Sequence, residues 1–316
     1  MLKICKNDAG NYQELTLDTL VKGSWIQMVN PTPRELNAVA EATEVPLDLL
    51  KAALDEEERS RIELEDHCIL IITNIPLMIN ETNYDTLPLG MIITEDHIIT
   101  VSLEDNPVFN EFNADSCRSF NTGKRTRFLF QILYKSASYY LKYLRQINKR
   151  TDQIELDLRT SMKNQEIFQL MDLQKGLTFF TVSLRSNGVV MDRLLRLRSN
   201  SQSQHLIKMY EEDEDLLEDV IIENNQAIQM VEMYTNILGS LTDAFASIIS
   251  NNLNMVMKFL ASMTIILAVP TMLASFWGMN VVVPFRDNPY GFSFVLGIAF
   301  VIAMVSAIIL WKKKMF

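Results

Sequence analysis

The sequence has few cysteines and no surplus of basic residues. Its three cysteines are an odd number without short spacing, which excludes a disulfide-based scaffold. A formal net charge of −10 argues against a nucleic-acid partner, because binding to phosphate backbones needs a basic face. The three histidines lie far apart, and the sequence contains no nucleotide-binding or nucleophile-elbow motif. We therefore expect neither an enzyme nor an organic cofactor.

Hydrophobic residues are abundant, and two runs near the C-terminus account for the surplus. They make up 48% of the chain, and the mean hydropathy of +0.07 excludes a disordered protein. The segments 259–277 and 291–311 contain no charged residue. Each is long enough to cross the roughly 30 Å hydrocarbon core of a bilayer. The sequence therefore predicts two transmembrane helices rather than two buried core helices.

Charges beside these segments predict their orientation. Lys258 precedes the first segment and Lys312–Lys314 follow the second, whereas Arg286 and Asp287 cancel in the intervening loop. The positive-inside rule places both termini in the cytoplasm and the loop outside the plasma membrane. The C-terminal 58 residues carry a charge of +3, which leaves −13 on the first 258 residues. Such an acidic surface suits divalent cations as ligands.

The distribution of proline divides the chain before the membrane segments. No proline lies between Pro107 and Pro270, which predicts a helical block after a first domain of mixed structure. Within 125–200 we predict two long antiparallel helices. A third helix is predicted to begin after Gln202 and to run into the first membrane segment. Its apolar positions form two heptad series that predict packing along a neighbouring helix. They are Leu217, Asn224, Val231, Leu238 and Phe245, and Val220, Ala227, Tyr234, Leu241 and Ile248.

Strand and helix patterns alternate in the first domain. β-branched runs predict strands at 24–29, 67–74, 89–94 and 97–103, and capping patterns predict helices after Thr32 and from Pro46. The predicted fold is an α+β membrane protein with a cytosolic α/β domain, a long helical stalk and a two-helix transmembrane hairpin. Its segments are 1–124 (α/β domain), 125–200 (helical pair), 201–258 (stalk helix), 259–277 (first transmembrane helix), 278–290 (outer loop), 291–311 (second transmembrane helix) and 312–316 (basic tail).

Small and polar residues recur along one face of the first membrane segment. Two interpretations fit this polar stripe. Small residues let helices pack closely, and a polar face can also line an aqueous pore. Since two helices cannot enclose a path, a pore requires several copies of the chain. The stripe consists of Asn254, Met257, Ala261, Thr264, Ala268, Thr271 and Ser275.

The tripeptide Gly278-Met279-Asn280 ends the first membrane segment and precedes a short loop, the second segment and a lysine tail. With the acidic domain and the long helix, this arrangement resembles the CorA family of divalent-cation transport proteins. The stretch from Asn254 to Leu260 and the pair Pro270-Thr271 are also similar. The resemblance covers the whole chain. It implies a funnel-shaped homopentamer in the lipid bilayer, with magnesium passing along its axis.

The resemblance also implies roles for individual residues. Gly278, Met279 and Asn280 would form the selectivity ring, and Asn254 and Thr271 would add polar rings lower in the pore. Met257 and Leu260 would form a hydrophobic constriction. Three acidic residues match positions of a regulatory metal site or lie near them, namely Asp219, Asp243 and Asp55. Local spacing leaves Ala52, Asp55 or one of Glu56–Glu58 as the partner of Asp219. The acidic stretch 211–219 is equally typical of a solvated helix face.

These implications predict a passive magnesium channel that is gated by cytosolic Mg²⁺ bound between subunits. Asparagine and hydroxyl oxygens can accept hydrogen bonds from the water shell that Mg²⁺ releases reluctantly. Two alternatives stay open. One is transport of Co²⁺, Ni²⁺ or Zn²⁺, and the other is a membrane-tethered scaffold or sensor that conducts nothing.

Overall fold

The protein, represented by a computed structural model, divides into two compact units. The structure describes residues 1–8, 10–161, 164–197, 206–281, 283, 289–313 and 315. Unit 1 covers Met1–Ser240, and unit 2 covers Leu241–Phe316. The predicted charges at Arg286, Asp287 and Lys314 lie outside the described residues.

Unit 1 contains a seven-stranded mixed sheet. Its order is β2-β1-β3-β7-β6-β5-β4, and only the β3–β7 pair is parallel among the described strands. The predicted mixed sheet is thus confirmed, with three further strands (β1, β2 and β4) that lack a β-branched run. The strands are β1 (Leu2–Asp8), β2 (Asn11–Leu15), β3 (Trp25–Val29), β4 (Arg61–Leu64), β5 (Cys68–Met78), β6 (Tyr84–Thr94) and β7 (Ile98–Ser102).

Both faces of this sheet are buried. Successive side chains of a strand point to opposite faces, so a strand with two covered faces needs a continuous apolar run. In β5, Ile69 and Ile71 belong to one hydrophobic core, whereas Leu70 and Ile72 belong to the other. All four side chains are fully buried. The apolar run of β5 therefore follows from its position between two layers of helices.

Two short helices cover the second of these cores. Helix α1 (Pro33–Thr43) contributes Leu36 and Val39, and α2 (Leu47–Ala52) contributes Leu49 and Leu50. The predicted cap of α1 is confirmed. The Thr32 hydroxyl accepts a hydrogen bond from the Glu35 amide at 3.3 Å, and the Glu35 carboxylate accepts one from the Thr32 amide at 2.8 Å.

Long helices cover the first core. A short helix α3 (Pro107–Asn110) precedes α4 (Arg125–Ser161) and α5 (Asn164–Leu197), which confirms two long helices in the proline-free block. Arg150 of α4 donates a hydrogen bond to Gln169 of α5 at 3.2 Å, so the two helices lie side by side.

Helix α6 (Glu211–Trp277) begins later than predicted. Residues 206–210 are not helical, so the predicted start after Gln202 is wrong for these residues, and 203–205 lie outside the described part. The start at Glu211 has a local cause. The Asp213 carboxylate accepts a hydrogen bond from the Tyr210 amide at 3.1 Å and so satisfies a donor ahead of the first turn.

The heptad series of α6 largely matches its burial. All five residues of the first series are buried. In the second series Val220 and Ala227 are buried, Tyr234 and Leu241 are half-buried, and Ile248 is 40% exposed. Leu217 and Val220 belong to the same core as β5 and α4. The prediction that α6 packs along a neighbouring helix is confirmed for the part that includes Asn224 and Glu232, which contact Leu184 and Arg185 of α5.

Unit 2 contains the remainder of α6 and helix α7 (Gly291–Lys312). Among the described residues, α6 and α7 are both long and apolar enough to cross a membrane. The fold thus has the predicted α/β part, long helix and two apolar C-terminal segments. The limits of the seven predicted segments stay a prediction, because the structure separates two compact units only, with the division after Ser240.

Candidate ion path and regulatory carboxylates

The polar stripe of α6 lies on an exposed face within unit 2. All seven of its residues are exposed in the single chain, as is Leu260. The two threonine hydroxyls donate hydrogen bonds to carbonyl oxygens one turn earlier, from Thr264 to Leu260 at 2.8 Å and from Thr271 to Leu267 at 2.7 Å. Since their protons are used inside the helix, the hydroxyl oxygens present lone pairs outward. The stripe therefore offers hydrogen-bond acceptors.

A different line of α6 faces α7. Ser262 is fully buried, and its hydroxyl donates to the Lys258 carbonyl at 2.8 Å and lies 3.5 Å from the Met315 carbonyl oxygen. Farther along, Leu273 and Trp277 share an apolar pocket with Val295 of α7.

The stripe and the α7-facing line lie on nearly opposite sides of α6. With 3.6 residues per turn, their centres are about 150° apart around the helix axis. Packing against α7 therefore does not explain the small residues of the stripe. The stripe thus does not serve close packing against α7 of the same chain. It can pack against other copies of the chain or line an aqueous pore.

The hydrophobic residues assigned to the constriction adjoin the polar end of the stripe. Met257 is 59% exposed and Leu260 is 54% exposed. Both follow Asn254, which is also exposed, within two helical turns. One chain thus exposes a carboxamide and then two large apolar side chains within two turns of α6.

The tripeptide of the predicted selectivity ring directly follows the last helical residue of α6. The Gly278 amide donates to the Ala274 carbonyl at 3.0 Å, and the Met279 amide donates to the Phe276 carbonyl at 3.3 Å. A Cβ atom at position 278 would lie 3.3 Å from the Ala274 carbonyl oxygen. Met279 is 52% exposed, and the Asn280 side chain is exposed too.

The need for glycine at position 278 is one of space. Among the described residues, the glycines with positive φ are Gly10 and Gly23, so Gly278 does not adopt the left-handed conformation that favours glycine. Without a side chain, its backbone can approach the last carbonyls of the helix closely.

The predicted regulatory carboxylates occupy separate elements. Asp219 is exposed on α6 between the buried residues Leu217 and Val220, so its side chain points away from the core. Asp55 is exposed in the connection from α2 to β4, where its carboxylate accepts a hydrogen bond from the Glu57 amide at 3.0 Å. Asp243 is exposed on the part of α6 that belongs to unit 2.

These carboxylates do not form a metal site within one chain. Within the part of the chain that the structure describes, no three histidine, cysteine or acidic residues could hold a metal ion together. Ala52, another candidate from the sequence, is the last residue of α2 and has no ligand atom in its side chain. Among the described residues, Asp219 therefore belongs to no group of three such ligands.

Part of the acidic stretch at the start of α6 has a structural role. Arg127 of α4 forms ion pairs with Glu212 at 3.1 Å and with Asp213 at 3.5 Å. Asp213 is buried and also caps the helix. The first turn of α6 is therefore not simply a solvated face, because Asp213 is a buried cap. No ion pair involving Asp219 is found among the described residues.

Two polar residues for which the sequence predicted no polar contact hold α6 in place. Ser262 faces α7, as described above. Asn224 is 2% exposed and donates a hydrogen bond to the Leu184 carbonyl of α5 at 3.1 Å. Asn224 was visible as a carboxamide in an otherwise apolar heptad series, which is a signal of a specific polar contact.

Comparisons with known proteins agree with this architecture. The chain is 26% identical to the cobalt/magnesium transport protein CorA of Methanocaldococcus jannaschii over 291 residues, which are 89% of this chain and 87% of the relative. It is 24% identical to the magnesium transport protein CorA of Campylobacter jejuni over 92% of this chain and 90% of the relative.

The solved complete structure of the CorA magnesium transporter from Methanocaldococcus jannaschii has the same fold. It superposes with a TM-score of 0.82 at 24% identity and covers 98% of this chain and 96% of the solved chain. The family model described as CorA-like Mg²⁺ transporter protein matches residues 22–314. Because that match includes strands β3 to β7, the long helix and both apolar segments, the chain belongs to the CorA family of membrane transport proteins and is not an enzyme.

Proposed function

We propose that this chain forms a passive channel that carries hydrated Mg²⁺ across the plasma membrane. Membership in the CorA family makes divalent-cation transport its general function. The observation that best supports a pore is the polar stripe, whose threonine oxygens point away from α7 with their protons already bonded. Five copies around an axis would bring five such stripes together, as the family resemblance implies.

The chemistry of the stripe fits a cation that keeps its water shell. Water bound to Mg²⁺ donates hydrogen bonds outward, and the ion gives up these waters reluctantly. The oxygens of Thr264, Thr271 and Asn280 can accept such bonds. The segment 259–277 contains no carboxylate, so a passing ion would not be trapped by direct coordination.

Selection takes place at the outer end of the path. Rings of Gly278, Met279 and Asn280 would surround the axis, with the Asn280 carboxamides accepting hydrogen bonds from the hydrated ion. Gly278 lets the chain leave the helix close to its last carbonyls. Farther in, Met257 and Leu260 would close the path by excluding water when the helices approach one another.

The membrane potential drives the transport. A negative interior contributes about 2.3 kcal/mol per charge per 100 mV, and a divalent ion gains twice that amount. Sensing of cytosolic Mg²⁺, in contrast, requires the N-terminal part of the chain to lie in the cytoplasm, as the positive-inside rule predicts. No nucleotide-binding motif is present in the sequence, which agrees with passive flux.

Cytosolic Mg²⁺ would regulate the channel by binding between subunits. Asp219 of one subunit and Asp55 of the next would hold the ion, which offsets their repulsion and favours the closed assembly. Asp243 is a further candidate nearer the membrane. Loss of the ion would then release the helices and open the path.

The selectivity assignment is tested by ion flux into liposomes that contain the purified protein. For Asn280→Ala we expect Mg²⁺ influx to fall on the order of tenfold or more, because a polar ring that contacts the ion would be removed. Asn251→Ala is a matched control, since Asn251 is exposed on α6 outside the stripe. Normal flux in Asn280→Ala would contradict the selectivity ring.

Two alternatives are decided by the same assay. Influx of Co²⁺, Ni²⁺ or Zn²⁺ that exceeds Mg²⁺ influx at equal concentration would identify another physiological cation. One relative is named a cobalt/magnesium transport protein, so Co²⁺ influx and Mg²⁺ influx have to be measured side by side. Complete absence of divalent-cation flux would support the non-conducting scaffold or sensor.

The regulatory assignment is tested by flux at increasing internal Mg²⁺ concentration. We expect Asp219→Asn to raise the concentration that half-closes the channel on the order of tenfold, because a charged ligand becomes neutral. Glu218→Gln provides the control, since Glu218 is the adjacent exposed carboxylate on a different face of α6. If both variants closed like the unmodified protein, Asp219 would not be the sensor.

A further inference from the structure

One buried carboxamide joins the edge of the sheet to the long helices. Asn187 of α5 is 2% exposed. Its side-chain oxygen accepts a hydrogen bond from the Asn74 amide at 2.8 Å, and its side-chain nitrogen donates to the Asn74 carbonyl at 2.7 Å. The side chain of Asn187 thus pairs with both backbone groups of a residue in β5, as a neighbouring strand would.

The need for this substitute strand follows from the register of the sheet. Asn74 lies opposite Pro88 in β6, and proline has no amide proton to donate. The backbone groups of Asn74 therefore point toward the β4 side. The β4–β5 pairing ends where Arg61 lies opposite Ile72, two residues short of Asn74. Asn187 occupies the place that a longer β4 would have filled.

The same carboxamide holds the end of the connection that carries Asp55. The Ser60 hydroxyl donates to the Asn187 side-chain oxygen at 3.0 Å. Earlier in this connection, the Asp55 carbonyl accepts a hydrogen bond from the Glu58 amide at 3.1 Å, and Glu58 forms an ion pair with Arg61. Asp55 is thereby linked to α5 through these contacts and the short chain segment from Glu58 to Arg61.

An adjacent face of this turn of α5 holds α6. The Asn224 carboxamide donates to the Leu184 carbonyl at 3.1 Å. A Cβ atom at Gly188 would lie 3.3 Å from that carboxamide nitrogen, so glycine permits the close approach of the two helices. Asn224 follows Asp219 by five residues on α6. A single turn of α5 therefore contacts both elements that carry the proposed regulatory carboxylates.

We propose that this junction, made by Ser60, Asn187, Leu184 and Asn224, transmits Mg²⁺ binding from one subunit interface to the next. The inference rests on the proposed regulatory function. In a closed ring, each subunit would contribute Asp55 to one interface and Asp219 to the other. The junction sets the distance between these two half-sites within a subunit. Binding at one interface thus aligns the half-site at the next, which makes closure cooperative.

The test removes the contact at each end of the junction in the full-length protein in liposomes. Asn224→Leu keeps a similar side-chain size but cannot donate to Leu184, and Ser60→Ala releases the connection from Asn187. Asn225→Leu is the matched control, because Asn225 is the exposed neighbour on α6. Influx is measured against internal Mg²⁺ concentration, and thermal unfolding is followed without Mg²⁺.

We expect both junction variants to conduct normally without internal Mg²⁺. Their half-closing concentration should rise about fivefold, in line with the loss of one buried hydrogen bond. The closing curve should also become less steep than in Asn225→Leu. If Asn224→Leu does not assemble, Ser60→Ala tests the same coupling at the other end.

Two results would overturn the inference in distinguishable ways. If Asp219→Asn impairs closure while both junction variants close like the control, the proposed regulation stands and the junction does not transmit it. If the junction variants unfold at a lower temperature but close like the control, the junction likewise stabilises the fold without transmitting Mg²⁺ binding. If the unmodified protein shows no closure by Mg²⁺, the proposed regulation fails, and the inference fails with it.

Discussion

A water-filled path along α6 would give neighbouring positions very different chemical reactivity. Thr264 belongs to the polar stripe, whereas the next residue, Ile265, is rotated by about 100° around the helix. Both are exposed in the single chain, so lipid or water decides their surroundings in the assembly. We therefore compare Thr264→Cys with Ile265→Cys in their reaction with a cationic thiol reagent.

The cysteines of the protein itself allow a clean background. Cys5 and Cys68 are buried, and burial raises the pKa of the Cys5 thiol to about 11 and also raises the pKa of Cys68. Since the thiolate is the reactive form, both residues react slowly near neutral pH. Cys117 is only half-buried, so Cys117→Ser is introduced first.

The expected ratio follows from the cost of bringing a charge into lipid. Near the bilayer centre a cationic group costs about 2.5 kcal/mol or more, which lowers its local concentration about 70-fold. A water-filled stripe imposes no such cost. Thr264→Cys should therefore react at least about 70 times faster than Ile265→Cys.

The assay is labelling of the purified channel in liposomes, with reagent on both sides and without Mg²⁺. Unreacted thiols are counted by mass after timed quenching. The same comparison between Ala268→Cys and Leu267→Cys tests whether the pattern repeats after one turn. Equal rates at the paired positions, or fastest labelling beside Ser262, would refute a water-filled stripe.

The remaining predictions concern the cap of α1. Thr32→Ala should lower the unfolding temperature of the full-length protein in detergent by about 2 to 4 °C, because losing such a cap costs roughly 1 kcal/mol. An unchanged unfolding temperature would show that the cap does not stabilise the protein. The hydrogen bond from the Thr32 amide holds the pKa of Glu35 below its ordinary value. The Glu35 carboxylate therefore stabilises the folded protein at pH values above its unfolded-state pKa. This contribution is lost as the pH falls through the lower folded-state pKa. The stability difference between the unmodified protein and Glu35→Gln should accordingly shrink in acid, and a difference that grew would contradict this sign.

Local patterns in the sequence were sufficient for several elements. The capping pattern at Thr32 predicts the start of α1, because its hydrogen bonds join residues three apart. The uncharged run 291–311 likewise predicts α7 almost to its ends. The cap and the apolar run depend on residues that are close together in the chain, so the sequence alone is enough to predict them.

Other elements depend on contacts between distant residues. Strand β4 has only four residues, which is too short for its alternation to predict a strand, and it exists because it pairs with β5. The start of α6 was predicted too early, because the deciding contact is a single cap at Asp213 rather than the apolar period. The Asn187 junction was not foreseen, since Asn74 and Asn187 are 113 residues apart.

The sequence by itself determined that α6 has a polar stripe, a heptad series and a Gly278-Met279-Asn280 end. These are periodic or adjacent features, and helix geometry alone places them on faces. Only the tertiary structure decided which face of α6 meets α7, which acidic residues serve as caps or ion pairs, and which remain exposed as Asp219 does. The physical reason is that the periodicity of a helix specifies which residues share a face, but not which element packs on that face. That element is determined by long-range packing.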